Sequence, residues 1–108
     1  MGLKPEITAY LAEREAMGLP QVWQAPLAEI RENTKLHIAL NQPLTQIYSV
    51  EHRSINGPSS NLPIRIYRPS EENNLPALVF FHGGGWVLNF LDIYEPALRK
   101  IAKNGNFV

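Results

Sequence analysis

Apolar residues recur with helical spacing through the first part of the chain. Over residues 5–17 they fall on one face, and Gly18 followed by Pro20 marks the end of the predicted helix. A second and weaker pattern predicts a helix over residues 26–40, with Pro43 beyond its end. The chain therefore begins with two predicted amphipathic helices.

Two short runs with strand character follow, separated by a dense turn cluster. Residues 47–55 are rich in residues that favour strands, and residues 62–67 alternate between apolar and other positions, the period of a half-buried strand. Residues 56–61 between them carry asparagine, glycine, proline and serine. The two runs predict an antiparallel hairpin near a sheet edge, where Pro63 is tolerated.

The segment from Leu75 to Phe81 has a different pattern, because it is apolar without alternation. Such a run is typical of a strand buried on both faces of a parallel sheet. It leads into a glycine-rich turn and a helix, after which the apolar residues 106–108 predict the onset of another strand. This order of elements begins a crossover unit of a parallel α/β sheet.

The helix after the glycine turn has one apolar face and two alternative starts. Asn104-Gly105 predict its end, and the apolar face carries Tyr94, Ala97, Leu98 and Ile101. Two starts are open: Asp92 and Glu95 have capping-box spacing, or Pro96 occupies the first helical position with Glu95 as the cap.

Composition and charge narrow the classes of function. With 108 residues, one compact domain at most fits, and the balance of 10 basic and 10 acidic residues gives no reason to expect a nucleic-acid partner. The absence of cysteine excludes a disulfide scaffold and a zinc finger. The longest apolar run is far shorter than the roughly 20 residues that span a bilayer, and no signal peptide is evident, so a cytoplasmic location without a membrane span is expected.

Three consecutive glycines, Gly83, Gly84 and Gly85, follow the predicted buried strand. Without Cβ atoms, such residues permit positive φ and let backbone N–H groups turn toward a ligand. The run matches neither G-x-x-x-x-G-K-[ST] nor G-x-G-x-x-G, which disfavours a nucleotide site. It indicates a loop that binds an anion or a developing oxyanion, with a tight turn that binds no ligand as the alternative.

The run from His82 to Trp86, HGGGW, resembles the glycine motif of the hormone-sensitive lipase family of α/β-hydrolases, a group of carboxylesterases and lipases. The resemblance covers the whole chain and implies an α/β fold. Residues 1–44 are then a helical cap segment with two cap helices, and residues 45–108 are the start of the core domain. That core would contain the edge hairpin, a first buried parallel strand, the glycine loop and a helix, in an incomplete sheet.

The resemblance also implies a chemistry and roles for the loop residues. The expected activity is hydrolysis of a small-molecule ester through a serine nucleophile, with no metal or organic cofactor. The N–H groups of Gly84 and Gly85 would be the oxyanion donors, and Gly83 would allow the turn. His82 would anchor the loop through its imidazole, and Trp86 would pack beside the substrate or hold the loop down.

Outside the loop, few side chains are candidates for chemistry. Trp23 is a second expected substrate contact, because the family's cap helices border the acyl site, with plain packing as the alternative. His37 and His52 are expected to be solvated surface residues. They are widely separated and lack a nearby carboxylate cluster, so no metal site is expected.

The chain departs from the family pattern at three positions near the motif. Asn89 stands where a glycine is usual, and Tyr94-Glu95 stand where a His-Asp pair is common. We expect these differences to reshape the pocket without abolishing it.

A larger departure concerns the catalytic residues. Asp92 is the only aspartate and is better explained as a helix cap, and the G-x-S-x-G context is absent from all five serines, Ser49, Ser54, Ser59, Ser60 and Ser70. The Ser–Asp–His residues are therefore expected after Val108, and the 108 residues alone should hydrolyse no ester. The alternatives are an inactive truncated remnant or a non-catalytic ligand-binding module of the same fold. The exposed sheet predicts self-association or a complementing C-terminal chain.

Overall fold

The computed structural model of the protein describes residues 2–39 and 43–108. The chain divides into two compact units, Met1–Asn33 and Thr34–Val108. The boundary expected after residue 44 from the sequence stays a prediction.

The first unit contains the predicted N-terminal helix. Helix α1 spans Pro5–Ala16, with Pro5 in the first turn and Met17 at its C-cap. Its first turn is closed on Lys4, whose carbonyl accepts hydrogen bonds from the N–H groups of Ile7 and Thr8 at 3.0 and 3.1 Å. Gly18 follows with a φ of +60°, a conformation that glycine adopts without strain. The predicted helix over residues 5–17 is confirmed to within one residue.

The second predicted helix is two helices. Helix α2 spans Leu27–Thr34 and carries the buried Ile30, and helix α3 spans Leu36–Ala39. The break falls after Asn33 and Thr34, two residues of low helix propensity, so the single continuous helix is corrected. The expected end at Leu40 lies outside the described residues.

The predicted hairpin is confirmed. Strand β1 spans Ser49–Asn56 and strand β2 spans Asn61–Arg68, paired antiparallel from Ser49↔Arg68 to Asn56↔Asn61. The turn is closed by a 3.0 Å hydrogen bond from the Gly57 N–H to the Ser60 carbonyl. A Cβ on Gly57 would lie 2.5 Å from that carbonyl oxygen, which explains glycine at this position.

Helix α4 spans Leu91–Gly105, so it begins earlier than either sequence alternative. Its N-cap is Phe90, which has an extended backbone and makes no side-chain cap bond. Asp92 and Glu95 thus do not cap the helix. Both carboxylates bind Arg65 on β2 instead. Pro96 lies inside the helix and is buried.

The end of α4 also differs in detail from the prediction. The helix continues through Gly105, and the left-handed residue is Asn106, with a φ of +53°. Gly105 is explained by close approach, since a Cβ there would lie 2.0 Å from Cζ of Phe107. The Phe107 ring thus packs over the last turn.

The segment 75–81 is extended, and most of its apolar side chains are exposed, as expected for a strand of an incomplete sheet. The side chains of Val79 and Phe81 are 74% and 88% exposed. Two hydrogen bonds join the segment to Val108: the Val108 N–H donates to the Pro76 carbonyl (2.9 Å) and the Leu78 N–H to the Val108 carbonyl (2.7 Å). One residue bonded to the two neighbours of Ala77 is the pattern of parallel pairing, so residue 108 begins a parallel strand.

The second unit is held together by packing of α4 against β2 and of α3 against α4. Buried residues in the described ranges are few, and in this unit they include Tyr67 of β2 with Pro96 and Ala102 of α4. The antiparallel hairpin, the helix and the start of parallel pairing together make a partial α/β architecture. No helix among the described residues is long and apolar enough to cross a membrane.

Candidate functional site

The loop between the extended segment and α4 has an unusual backbone. Positive φ angles occur at Gly84 (+140°), Gly85 (+58°), Trp86 (+60°) and Asn89 (+70°). At Gly84 no side chain is possible, since a Cβ would lie 2.0 Å from the Leu88 carbonyl oxygen. At Gly85 the space is open, and only the backbone angle favours glycine.

The carbonyl of Gly84 is bound by the backbone of the same loop. It accepts hydrogen bonds from the N–H groups of Leu88 at 2.8 Å and Val87 at 3.2 Å. In a planar trans peptide the carbonyl and the following N–H point in opposite directions. The N–H of Gly85 is therefore directed away from Val87 and Leu88.

The carbonyl of Gly83 is bound by side chains. Its oxygen lies 2.9 Å from His82 Nδ1, 3.2 Å from Asn89 Nδ2 and 3.2 Å from the Tyr94 hydroxyl. A carbonyl oxygen only accepts, so the contact with His82 assigns the proton to Nδ1 of its imidazole. Three donors thus converge on one loop oxygen.

Aromatic contacts accompany these hydrogen bonds. The ring of Tyr94 stacks on that of His82 with centroids 5.4 Å apart and an interplanar angle of 22°. Its other aromatic neighbour is Phe80, at 5.7 Å and 51°. Tyr94 of α4 therefore contacts both the extended segment and the first residue of the glycine motif.

The arrangement leaves two loop donors available. Within the part of the chain that the structure describes, the N–H groups of Gly84 and Gly85 donate no hydrogen bond, while the carbonyls of Gly83 and Gly84 are both occupied. Undonated N–H groups on a constrained backbone can bind an anion or stabilise a developing oxyanion. The sequence singled out these two glycines, and the structure explains how their N–H groups are kept free.

Helix α4, which carries Tyr94, is attached to β2 by a partly buried group of charges. The Arg65 guanidinium binds Asp92 at 2.6 Å and also contacts Glu95, and Glu95 binds Arg99 at 2.7 Å. The side chains of Arg65 and Glu95 are only 9% and 13% exposed. Arg99 also donates to the Thr45 carbonyl at 3.2 Å, which ties the helix to the segment before β1.

Burial and this group of charges together change two pKa values. Burial acts to lower the pKa of Arg65, but its hydrogen bond to Asp92, with smaller contributions from Tyr67 and Glu95, raises that pKa above its ordinary value. Burial also raises the pKa of the Tyr67 hydroxyl, against the opposing effect of Arg65. Arg65 is thus held as a cation, and Tyr67 as a neutral phenol.

Two tryptophans were predicted to contact substrate. The Trp86 side chain is fully exposed at the loop, so among the described residues it does not hold the loop down. Trp23 lies in the first unit, in a turn between α1 and α2, and is 79% exposed. A substrate contact of either residue stays a prediction.

Asn89 and Tyr94 were noted in the sequence only as departures from a family pattern. Their shared contact with the Gly83 carbonyl carries no sequence signal, because the two residues approach it from the loop and from α4. His52 is exposed on β1, as expected for a surface residue. In the described ranges, no group of three or more His, Asp or Glu residues is placed to hold a metal ion.

Comparison with known proteins adds to this picture. No protein-family model matches the chain. Carboxylic ester hydrolase LipN of Mycobacterium tuberculosis is 42% identical over 65 residues, which cover 59% of this chain and 17% of LipN. The arylesterase of Saccharolobus solfataricus is 28% identical over 104 residues, which cover 96% of this chain and 34% of the arylesterase. The chain thus spans between 17% and 34% of the length of these relatives.

Solved structures show the same relationship. The ester hydrolase EH1AB1 from the metagenome of Lake Arreo superimposes with a TM-score of 0.88 at 27% identity, over 98% of this chain and 36% of that one. The hyperthermophilic esterase of Pyrobaculum calidifontis gives 0.84 at 25% identity, over 99% and 34%. The predicted fold class is confirmed: the chain forms part of an α/β-hydrolase fold, and its relatives are carboxylesterases and esterase-type α/β-hydrolases.

Proposed function

We propose that residues 82–86 form the oxyanion hole of a carboxylic ester hydrolase of the hormone-sensitive lipase family. The main support is the pair of N–H groups at Gly84 and Gly85, which donate to no described residue while the carbonyls of Gly83 and Gly84 are both bound. The similarity to carboxylesterases in sequence and in fold supports the choice of an ester over other acyl compounds.

In this mechanism the loop acts on the tetrahedral intermediate of acyl transfer. As a serine oxygen attacks the ester carbonyl, negative charge develops on the carbonyl oxygen, and the N–H groups of Gly84 and Gly85 donate to it. His82 anchors the loop through its Nδ1–H contact with the Gly83 carbonyl. Trp86 provides an exposed aromatic surface for the substrate. A substrate contact of Trp23 stays a prediction.

The serine, histidine and aspartate of the reaction come from outside these 108 residues in this proposal. It rests on the five serines, which all lack the G-x-S-x-G context that places a nucleophile on a strand-to-helix turn. The cytoplasmic location, the self-association and the complementing chain stay predictions.

Replacing Gly84 by alanine tests the oxyanion hole directly. The new Cβ would lie 2.0 Å from the Leu88 carbonyl oxygen, so the loop must move and its N–H groups with it. In the full polypeptide that the gene encodes, we expect kcat for p-nitrophenyl butyrate to fall by about 100-fold or more, as when one oxyanion donor is lost. KM should change little, because the donors act on the transition state.

Gly57→Ala is the matched control. It introduces a Cβ with a comparable backbone clash, 2.5 Å from the Ser60 carbonyl oxygen, but in the hairpin turn. We expect it to lower thermal stability while keeping most of kcat. Equal losses of kcat in both variants would contradict the proposed role of the loop.

A non-catalytic ligand-binding module is the second candidate, because the undonated N–H groups of Gly84 and Gly85 can also bind a ligand that is not hydrolysed. It predicts that the full polypeptide binds a non-hydrolysable ester analogue but releases no p-nitrophenol. Hydrolysis that Gly84→Ala abolishes excludes this candidate. An inactive remnant would neither bind nor hydrolyse.

A further inference from the structure

Asn89 and Tyr94 form a connected set of hydrogen bonds on one side of the glycine loop. The Asn89 amide nitrogen lies 3.2 Å from the Gly83 carbonyl oxygen and 3.0 Å from the Tyr94 hydroxyl, and that hydroxyl lies 3.2 Å from the same carbonyl. The hydrogens suffice for all three bonds. The Asn89 amide has two, one for the Gly83 carbonyl and one for the Tyr94 hydroxyl, and that hydroxyl donates its own to the carbonyl. The three groups thus form a closed triangle.

The triangle acts on a specific peptide unit. The Gly83 carbonyl and the Gly84 N–H belong to the same planar trans peptide and point in opposite directions. Fixing the carbonyl toward Asn89 and Tyr94 therefore fixes the Gly84 N–H toward the other side. That N–H is one of the two proposed oxyanion donors.

Other residue types would satisfy the local packing without these bonds. A phenylalanine at position 94 would keep the ring contacts with His82 and Phe80. A glycine at position 89 would accept the φ of +70° with less strain than asparagine. The hydroxyl and the amide are thus the groups that packing and backbone conformation leave unexplained.

We infer that Asn89 and Tyr94 are positioning residues of the oxyanion hole, which orient the Gly84 N–H through the Gly83 carbonyl. The inference rests on the proposed function and extends it to residues outside the glycine motif. The triangle also joins the loop to α4, and α4 is attached to β2 through Arg65. The orientation of the Gly84 N–H is therefore fixed by contacts with α4 and, through α4, with β2, although the loop itself contains three flexible glycines.

Kinetics of the full encoded polypeptide provide the first test. Tyr94→Phe and Asn89→Gly should each lower kcat for p-nitrophenyl butyrate about fivefold, the range expected for loss of one or two hydrogen bonds, with KM within about twofold. Inhibition by a phenylboronic acid, whose tetrahedral adduct carries an oxygen where the oxyanion forms, should weaken by the same factor as kcat/KM. The double variant should lose more than either single variant.

The chain offers a matched control for each change. Tyr48→Phe removes a hydroxyl from a half-exposed tyrosine before β1, and Asn74→Gly removes an amide from another asparagine with positive φ (+65°) in a distant loop. Both should keep kcat and boronate inhibition at the wild-type values. A merely structural role of Asn89 and Tyr94 predicts instead that activity falls only in step with thermal stability.

A second measurement is independent of activity. Within these 108 residues only Gly84 and Gly85 follow another glycine, so glycine labelled with 15N and 13C carbonyl gives, from this part of the polypeptide, carbonyl-to-amide correlations for these two positions alone. The Gly83 carbonyl resonance, observed through the Gly84 amide, should shift in Tyr94→Phe and Asn89→Gly and stay in place in the controls.

The outcomes separate this inference from the proposed function. Wild-type kcat and boronate affinity in both variants overturn the positioning role even if the enzyme is active. An unchanged Gly83 carbonyl resonance overturns the triangle itself. A wild-type polypeptide without hydrolysis or boronate binding overturns the proposed function and the positioning role with it, while a shifted resonance would still establish the contact.

Discussion

The hairpin and the extended segment 75–81 are both rich in strand-forming residues, yet they differ in how they are held. The hairpin pairs along its whole length, and its strand β2 is joined to α4 through the partly buried Arg65. The extended segment is joined to other backbone by two hydrogen bonds with Val108 and keeps most of its apolar side chains exposed. Two regions that both favour strand formation are thus paired with other backbone to very different extents.

The contrast shows what each type of pairing requires. An antiparallel hairpin is completed by a short turn, whereas a parallel strand needs a neighbour supplied by a crossover. The segment also has two unequal faces: Leu78 and Phe80 are 49% and 47% exposed, with Phe80 against Tyr94, while Val79 and Phe81 are far more exposed. The face bearing Val79 and Phe81 is uncovered in the described chain.

Removing Arg65 should have the largest effect, because this residue joins the hairpin to α4. Arg65→Ala would leave the largely buried Glu95 with Arg99 as its one remaining cation among the described residues. We expect the free energy of unfolding of the full polypeptide to fall by about 3 kcal/mol. Urea denaturation followed by circular dichroism measures the change.

The hairpin contains its own control for that change. Arg53 pairs with Glu51 at 2.6 Å, but both side chains are well exposed, at 61% and 37%. Arg53→Ala should cost less than about 1 kcal/mol. Equal losses in the two variants would show that burial of the Arg65 cluster contributes nothing to stability.

Making the uncovered face of the segment 75–81 polar should reduce self-association of the chain. In the 108-residue chain, Val79→Thr with Phe81→Thr keeps strand-forming residues but removes apolar surface, so self-association should weaken by about tenfold. Sedimentation equilibrium measures it. Ile55→Thr with Leu62→Thr, at the tip of the hairpin, is the control and should have a smaller effect. A larger effect at the hairpin would place the associating surface there.

The smallest expected effect is a dependence on alkaline pH. Because burial raises the pKa of Tyr67 in the folded state, its neutral form stabilises the fold below the ordinary value of 10.0, and this contribution is lost as the pH rises through the raised pKa. Tyr67→Phe should therefore lose less stability above pH 10 than the wild type. Thermal denaturation of both across this range, with Tyr48→Phe as the control, measures the difference, and parallel curves would contradict it.

Local patterns predicted much of the fold correctly. The helix over residues 5–17, the hairpin and the strand onset at residue 108 follow from periodicity and turn composition, which act between neighbours in sequence. The predicted start of α4 was wrong, because Asp92 and Glu95 have the residue types and spacing of capping residues. Their carboxylates instead bind Arg65, which lies 27 and 30 residues earlier.

The candidate site could likewise be predicted from the sequence only in part. The glycines were recognisable because the loop needs positive φ and a missing Cβ at Gly84, and both are properties of single residues. The roles of Asn89 and Tyr94 were not, since nothing in either residue type indicates which carbonyl it binds.

The order of amino acids was enough to specify the short-range elements and the glycine loop, because turn geometry, helical period and strand alternation depend on nearby residues. Which face of the segment 75–81 is covered depends on tertiary contacts, and so does the binding of the α4 carboxylates to Arg65 instead of the helix end. The direction of the Gly84 N–H depends on tertiary contacts as well. Hydrogen bonds and ion pairs between distant residues set these features, and their partners are chosen by distance in space.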